Sequence, residues 1–80
     1  MYILATIDLT APSRPQQNYQ VEHSLDEAVQ AYVNARERLH REYPMAQIEN
    51  YDGYGELVKQ STLKVDNIVI ATVGIYQPLN

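Results

Sequence analysis

The chain has 80 residues, a formal net charge of −4, seven tyrosines as its complete set of aromatic residues, and no cysteine. A chain of this length forms one domain that buries about 60% of the surface exposed by its unfolded state, which leaves no room for a deep cleft with several desolvated catalytic groups. The acidic balance disfavours direct nucleic-acid binding and favours a partner with a basic surface, while the lack of cysteine excludes disulfides and thiolate chemistry.

The same features bear on assembly and location. A small core makes dimerisation a natural supplement to stability, so a homodimer is one expected state. The amino-terminal apolar run lacks a basic lead and is interrupted by Asp8, which disfavours a secretory signal. The longest apolar stretch, Ile68–Tyr76, is far shorter than the roughly 20 residues of a membrane helix. We therefore expect a soluble, cytoplasmic protein without a membrane partner.

The first predicted element is a strand over residues 2–9, where Ile3 and Ile7 alternate with Leu4 and Thr6. An exposed loop is predicted next, over residues 10–18. Its two prolines disfavour both a helix and the pairing of a strand. Residues 19–22 are interpreted as a short edge strand that leaves this loop.

A helix is predicted from the sequence Ser24-Leu25-Asp26-Glu27, which fits a capping box. It should end at about Glu42 or Tyr43, because Pro44 disfavours helical geometry in the residue before it. Apolar residues at helical spacing form one stripe, which must pack on a sheet. The stripe comprises Leu25, Ala28, Tyr32, Ala35, Leu39 and Tyr43.

The helix also carries Arg36, Arg38 and Arg41 towards its carboxyl end. Cations there complement the helix dipole, so we interpret the cluster mainly as helix stabilisation. Binding of phosphate or of an acidic partner is the alternative. Arg36 lies beside the apolar stripe, where its stem would pack and its guanidinium would reach solvent.

Three strands are predicted after the helix. Residues 45–51 alternate weakly, and Asp52-Gly53 then provides a two-residue hairpin turn. The return strand is predicted over residues 55–64, with one or two helical turns as the alternative. Asp66-Asn67 marks a further turn before a central strand, Ile68–Tyr76, that is covered on one side by the helix.

This order predicts a single α+β domain over residues 1–80, with one amphipathic helix packed on a mainly antiparallel sheet of about four strands in the order β-α-β-β-β. The second face of the sheet has no helix to cover it and is therefore a predicted docking surface. Its predicted lining is Leu4, Thr6, Gln47, Lys59 and Ser61.

The sequence lacks the motifs of familiar catalytic sites. Only His23 and His40 could serve as a histidine base, and they are interpreted as residues at the two ends of the helix. Their spacing does not match a zinc site, and the three glycines match no nucleotide-binding fingerprint. We predict no catalytic residue, no metal and no cofactor.

The best candidate for binding is the segment of residues 49–56, where carboxylates and phenols alternate without a cation. Tyrosine offers a broad contact at low entropic cost, and carboxylates form charge-assisted bonds to arginine. The alternative is a soluble turn in which Tyr51 and Tyr54 pair across the strands. The predicted partner-binding residues are Glu49, Tyr51, Asp52, Tyr54 and Glu56.

The strand at the start of the chain, the polar loop, the Ser24-Leu25-Asp26-Glu27-Ala28 helix opening and the terminal hairpin together resemble small phage-borne inhibitors of the anti-CRISPR type. That resemblance implies a non-enzymatic protein that blocks a bacterial nucleic-acid-guided effector complex. The helix opening also resembles antitoxins of the HicB type, whose glycine-rich turn is not matched here. An antitoxin or a small nucleic-acid-associated regulator is therefore the alternative function.

Overall fold

A computed structural model describes residues 1–10 and 16–78. It is an α+β fold in which one helix packs on a five-stranded antiparallel sheet with the strand order β2-β1-β5-β4-β3. The elements are β1 (Tyr2–Asp8), β2 (Gln16–Glu22), α1 (Leu25–Glu42), β3 (Gln47–Tyr54), β4 (Leu57–Val65) and β5 (Ile68–Tyr76). The two-layer class is confirmed, but the sheet has five strands and the order is β-β-α-β-β-β.

The strand beyond the four of the predicted order is β2, and the interpretation of residues 19–22 as an edge strand is confirmed. β2 pairs with β1 without interruption from Tyr2 opposite Glu22 to Asp8 opposite Gln16. The predicted loop was therefore wrong at residues 16–18, and its residues 11–15 lie outside the described residues. Both prolines of the loop precede residue 16, so every residue of β2 keeps the backbone amide that a strand ladder needs.

The helix α1 has the predicted bounds. The Ser24 side chain accepts a hydrogen bond from the Glu27 amide at 3.2 Å, and the Tyr43 amide closes the last turn on the Leu39 carbonyl at 2.8 Å. Pro44 is the next residue after Tyr43, in agreement with the predicted end of the helix. The helix buries Ala28, Tyr32, Ala35 and Leu39 against the sheet, whereas Leu25 at its start is exposed.

The turn between β3 and β4 differs from the prediction. Asp52 and Gly53 lie inside β3, and the turn is formed by Gly55 and Glu56. Gly55 has φ +62°, the left-handed conformation that favours glycine at the first central position of a tight hairpin turn. The glycine that the turn requires is thus two residues beyond the one that the sequence pattern indicated.

Gly53 has a different role. A Cβ atom at this position would lie 2.0 Å from the Leu57 carbonyl oxygen, so the close approach of the two strands requires glycine. The predicted pairing of Tyr51 with Tyr54 is also wrong, because both lie on β3, where Tyr51 faces Gln60 and Tyr54 faces Leu57.

The remaining strands agree with the sequence patterns. β4 is a strand, so the alternative of helical turns is wrong there. Asp66 and Asn67 form the next turn with φ values of +53° and +65°, as a two-residue hairpin with left-handed central residues requires. β5 lies at the centre of the sheet between β1 and β4.

The helix covers the face of the sheet that carries Leu4 and Thr6. Leu4 faces Ile75 and Thr6 faces Val73 on the neighbouring strand, and all four side chains are buried. The core on this face also contains Ala28, Tyr32, Ala35, Leu39, Ala46, Leu63 and Ala71. Packing of α1 against β1 and β5 therefore holds the two layers together.

The predicted lining of the uncovered face was largely wrong. Leu4, Thr6 and Ser61 are buried beneath the helix, and Lys59 is on that same side because it pairs with Ile75. Both sets of alternating residues in β1 are largely apolar, so its alternation could not indicate which set faces the helix. No helix among residues 1–10 and 16–78 is both long and apolar enough to cross a membrane.

Candidate functional site

The face of the sheet that lies away from α1 is here called the open face. Residues directly opposite each other in neighbouring strands point to the same side, so the registers define this face across all five strands. Its members are Ile3, Ala5 and Ile7 of β1, Gln17, Tyr19 and Val21 of β2, Thr72, Gly74 and Tyr76 of β5, Gln60, Thr62 and Lys64 of β4, and Gln47, Glu49 and Tyr51 of β3.

The open face has small residues at its middle and tyrosines around them. One row crosses the whole sheet from Tyr19 through Ala5, Gly74 and Gln60 to Tyr51. Tyr19 is 60% exposed and Tyr51 is 43% exposed, at opposite edges. Large amphipathic rings around a floor of small side chains are well suited to contact another protein.

The central tyrosine of the open face is packed against a glycine. A Cβ atom at Gly74 would lie 3.1 Å from the ring of Tyr76, so that ring lies over the glycine. Gly74 is itself buried, whereas Tyr76 is half-buried. The absence of a side chain at Gly74 therefore leaves the space in which the Tyr76 ring packs on the sheet surface.

The open face carries no net charge. Its charged members, Lys64 and Glu49, form an ion pair with 3.1 Å between Nζ and Oε2, and the Tyr51 hydroxyl donates to the same carboxylate oxygen. The bond from Tyr51, followed by that from Lys64, lowers the pKa of Glu49, and the bond to Glu49 raises the pKa of Lys64. In a chain of net charge −4, this face is therefore unusually neutral.

The predicted partner-binding residues do not form one patch. Glu49 and Tyr51 lie on the open face, whereas Asp52 faces Lys59 on the helix side, Tyr54 is the last residue of β3 opposite Leu57, and Glu56 lies in the turn. Tyr54 is 92% exposed. Two of the three carboxylates have a lysine opposite or near them on β4 that the local sequence did not reveal, since Lys64 binds Glu49 and Lys59 faces Asp52 across the ladder.

A polar network fixes the β3–β4 hairpin to the helix. Ser61 Oγ donates to Asn50 Oδ1 at 2.5 Å, and Arg36 Nη1 donates to the same oxygen at 3.1 Å. The Tyr32 hydroxyl is bonded to Ser61 Oγ. Because Ser61 has one hydroxyl proton and gives it to Asn50, Tyr32 must be the donor to Ser61.

Sequence reasoning missed this network. The signal was Tyr32 on the buried stripe, because a buried phenol needs a hydrogen-bond partner. Arg36 was predicted to extend into solvent, but its guanidinium carbon lies 5.4 Å from the Tyr32 ring centre and its Nη1 binds Asn50. The positive charge of Arg36 therefore interacts with the Tyr32 ring and with Asn50 inside the fold.

Two of the helix arginines, Arg36 and Arg38, lie on different sides of the helix. Arg36 points towards β3, whereas Arg38 borders an open groove between α1 and β2 on the other side of the helix. The groove has a volume of about 160 Å³ and is lined by Leu4, Thr6, Asn18, Gln20, Ala31, Asn34, Ala35 and Arg38. The small side chains of Ala31 and Ala35 leave this space beside the sheet. Arg36 and Arg38 therefore do not form a joint phosphate site.

A second polar cluster connects the end of β1 to the end of α1. Asp8 accepts hydrogen bonds from the Thr10 amide at 2.9 Å, from the Thr10 hydroxyl at 2.6 Å and from the Tyr43 hydroxyl at 2.7 Å. Partial burial opposes ionisation of Asp8, but these three bonds outweigh it and lower its pKa. The cluster is a clamp between the two layers.

The remaining candidates for chemistry lie apart on the surface. His23 precedes the helix cap and His40 lies in the last helical turn, and both are exposed. Within residues 1–10 and 16–78, no three histidine or carboxylate side chains are grouped to hold a metal ion. No protein-family model, curated protein or solved structure matches this chain.

Proposed function

We propose that this protein is a non-catalytic protein-binding domain that docks through the open face, with Glu49 and Tyr51 as the contribution of the hairpin. The observation that carries the proposal is a face of five strands that no helix of the described residues covers, that bears no net charge and that presents tyrosines at both edges and near its centre. Depletion of charge and enrichment of tyrosine are the compositional marks of an interface core.

The size of the open face fits this role. With strands about 4.8 Å apart and about 3.3 Å per residue, the face measures roughly 24 by 23 Å, or about 550 Å². A standard complex buries about 800 Å² on each partner. The flat face therefore supplies most of a specific interface, and the projecting rings of Tyr19 and Tyr51 increase the accessible area beyond the planar value.

The effect of docking is proposed to be inhibition of the partner or assistance to it. The partner class expected from the resemblance is a bacterial nucleic-acid-guided effector complex with a basic surface. An antitoxin or a small regulatory protein associated with nucleic acid stays the alternative. The identity of the captured partner, and the salt dependence of capture, decide between these classes.

The test uses two matched double variants of the tagged protein. The face variant combines Tyr51→Ala with Gln60→Lys, which removes a ring and places a charge in the central row of the open face. The tip variant combines Asp52→Ala with Tyr54→Ala, at the turn end of β3 in the same hairpin. Partners retained from a bacterial lysate are identified by mass spectrometry, and the dissociation constant of the purified partner is then measured.

We expect the face variant to weaken binding by at least about tenfold, because loss of an interface tyrosine costs on the order of 2 kcal/mol and the new lysine lies in the row that crosses the middle of the face. The tip variant should bind within about twofold of the unaltered protein. Equal binding by the face variant, with an unchanged urea midpoint, contradicts the proposal. A loss confined to the tip variant would assign docking to Asp52 and Tyr54 instead.

A further inference from the structure

The strand β2 is an edge of the sheet, and no strand among residues 1–10 and 16–78 pairs with its outer side. All seven of its residues pair with β1 on one side, and its register has no shift. Six of the seven residues are exposed, and the partly covered one, Glu22, is the only charged residue of the strand. Such an edge presents a row of backbone donors and acceptors to any extended segment that approaches it.

Natural edge strands normally carry features that prevent such pairing, which include lysine, proline and bulges. β2 contains neither lysine nor proline, and its pairing with β1 is regular. The other edge, β3, is better protected. It carries Glu49 and Asp52 without a cation in the strand, and its glycine at position 53 interrupts the row of side chains. The two edges of the sheet are therefore unequal.

We propose that a second copy of this chain pairs with β2, so that two β2 strands lie antiparallel across a two-fold axis at Tyr19. In a continuous sheet, residues that lie opposite each other point to the same face. The two-fold axis must therefore run through the position of one residue, which faces its own copy, and not through the midpoint between two residues. Of these registers, the one centred on Tyr19 aligns all seven residues of Gln16–Glu22. The two sheets then form one sheet of ten strands.

The side chains are compatible with this register. Glu22 lies opposite Gln16 of the second copy, so no like charges face each other. Val21 lies opposite Gln17, and the two Tyr19 rings meet on the open face. These exposed rings lose water on association, and aromatic cross-strand pairs stabilise antiparallel strands.

The dimer would also join the open faces of the two copies into one surface. This inference goes beyond the proposed docking function, because it rests on the edge of the sheet and on self-complementarity. The contact between two edge strands is smaller than a standard interface, so the expected dissociation constant is about 10 to 100 µM.

The experiment is sedimentation equilibrium of the full chain over a concentration range from roughly ten times below to ten times above that constant. Tyr19→Lys and Tyr19→Glu each place like charges opposite one another at the two-fold axis and should weaken the dimer by at least about tenfold. An equimolar mixture of the two variants should recover the dimer, because lysine then faces glutamate. Tyr54→Lys, an equal change at the far edge, should leave the dimer intact.

Several outcomes would overturn the proposal. The proposal is wrong if the chain stays monomeric throughout the concentration range. It is also wrong if Tyr19→Lys dimerises as the unaltered chain does, or if the mixture of the two variants does not recover the dimer. Loss of the dimer in the variant with Tyr51→Ala and Gln60→Lys would move the contact to the open face and equally overturn it. Circular dichroism and urea unfolding check that each variant is folded, which is expected because Tyr19 is 60% exposed.

Discussion

Single polar side chains determine how the helix is placed on the sheet. Tyr32 and Ser61 are both buried, and their hydroxyls form a chain of bonds that ends on Asn50. In so small a core, a buried hydroxyl without a partner costs a substantial part of the total stability. The direction of the bonds predicts which member of the pair is the more sensitive to substitution.

We expect Ser61→Ala to cost about 2–3 kcal/mol, because it leaves the buried Tyr32 hydroxyl without its acceptor. Tyr32→Phe should cost about 1 kcal/mol, because Ser61 still donates to Asn50. Urea unfolding of both variants and of the double variant measures these values. The double variant should cost less than the sum, and strict additivity would contradict the bonded pair.

At the scale of elements, the β3–β4 hairpin shows how a turn is selected. Asp52-Gly53 has the composition of a hairpin turn, but the chain continues as a strand and turns at Gly55. The local preference of a dipeptide is small compared with the pairing of a whole strand, so the register of β3 on β4 determines where the turn falls. Gly53 and Gly55 thus need glycine for different reasons.

This difference predicts opposite responses to the same substitution. Asparagine tolerates a left-handed backbone, and a Cβ at Gly55 meets no atom within 4 Å, so Gly55→Asn should cost about 1 kcal/mol or less. Gly53→Asn should cost about 2 kcal/mol or more, because its Cβ would collide with the Leu57 carbonyl. Urea unfolding measures the loss of stability in each variant. Equal losses would contradict the turn at Gly55 and would favour a turn at Asp52-Gly53.

For the molecule as a whole, the two layers are joined by the core and by the clamp of Asp8, Thr10 and Tyr43. The clamp depends on an ionised carboxylate. Because the pKa of Asp8 is lower in the folded state than in the unfolded chain, the unfolded state binds its proton first as the pH falls. The contribution of Asp8 is present above its ordinary pKa and is lost on acidification through the folded value.

Asp8→Asn should therefore reduce the free energy of unfolding at pH 7 and should reduce it less at about pH 3, where the unaltered chain has begun to lose the same contribution. Urea unfolding of both proteins at the two pH values measures the change. The difference between them should shrink towards acid pH. A difference that is independent of pH would show that the hydrogen bonds of Asp8 do not depend on its charge.

Several parts of this molecule follow from neighbouring residues alone. Ser24 and Pro44 set the ends of α1, Asp66-Asn67 sets the turn before β5, and the apolar stripe of the helix requires a sheet to pack on. These features depend on contacts within a few positions of the chain, which the sequence displays directly. The α+β class follows from the same signals.

Other parts depended on pairing between distant segments. The full length of β2, the side of β1 that meets the helix and the turn at Gly55 were all decided by strand register. A shift of one residue exchanges the two faces of a strand, so local alternation could not place Leu4 beneath the helix or Tyr51 on the open face. The predicted site at residues 49–56 was divided between two faces for this reason: adjacent residues in a strand point to opposite sides of the sheet.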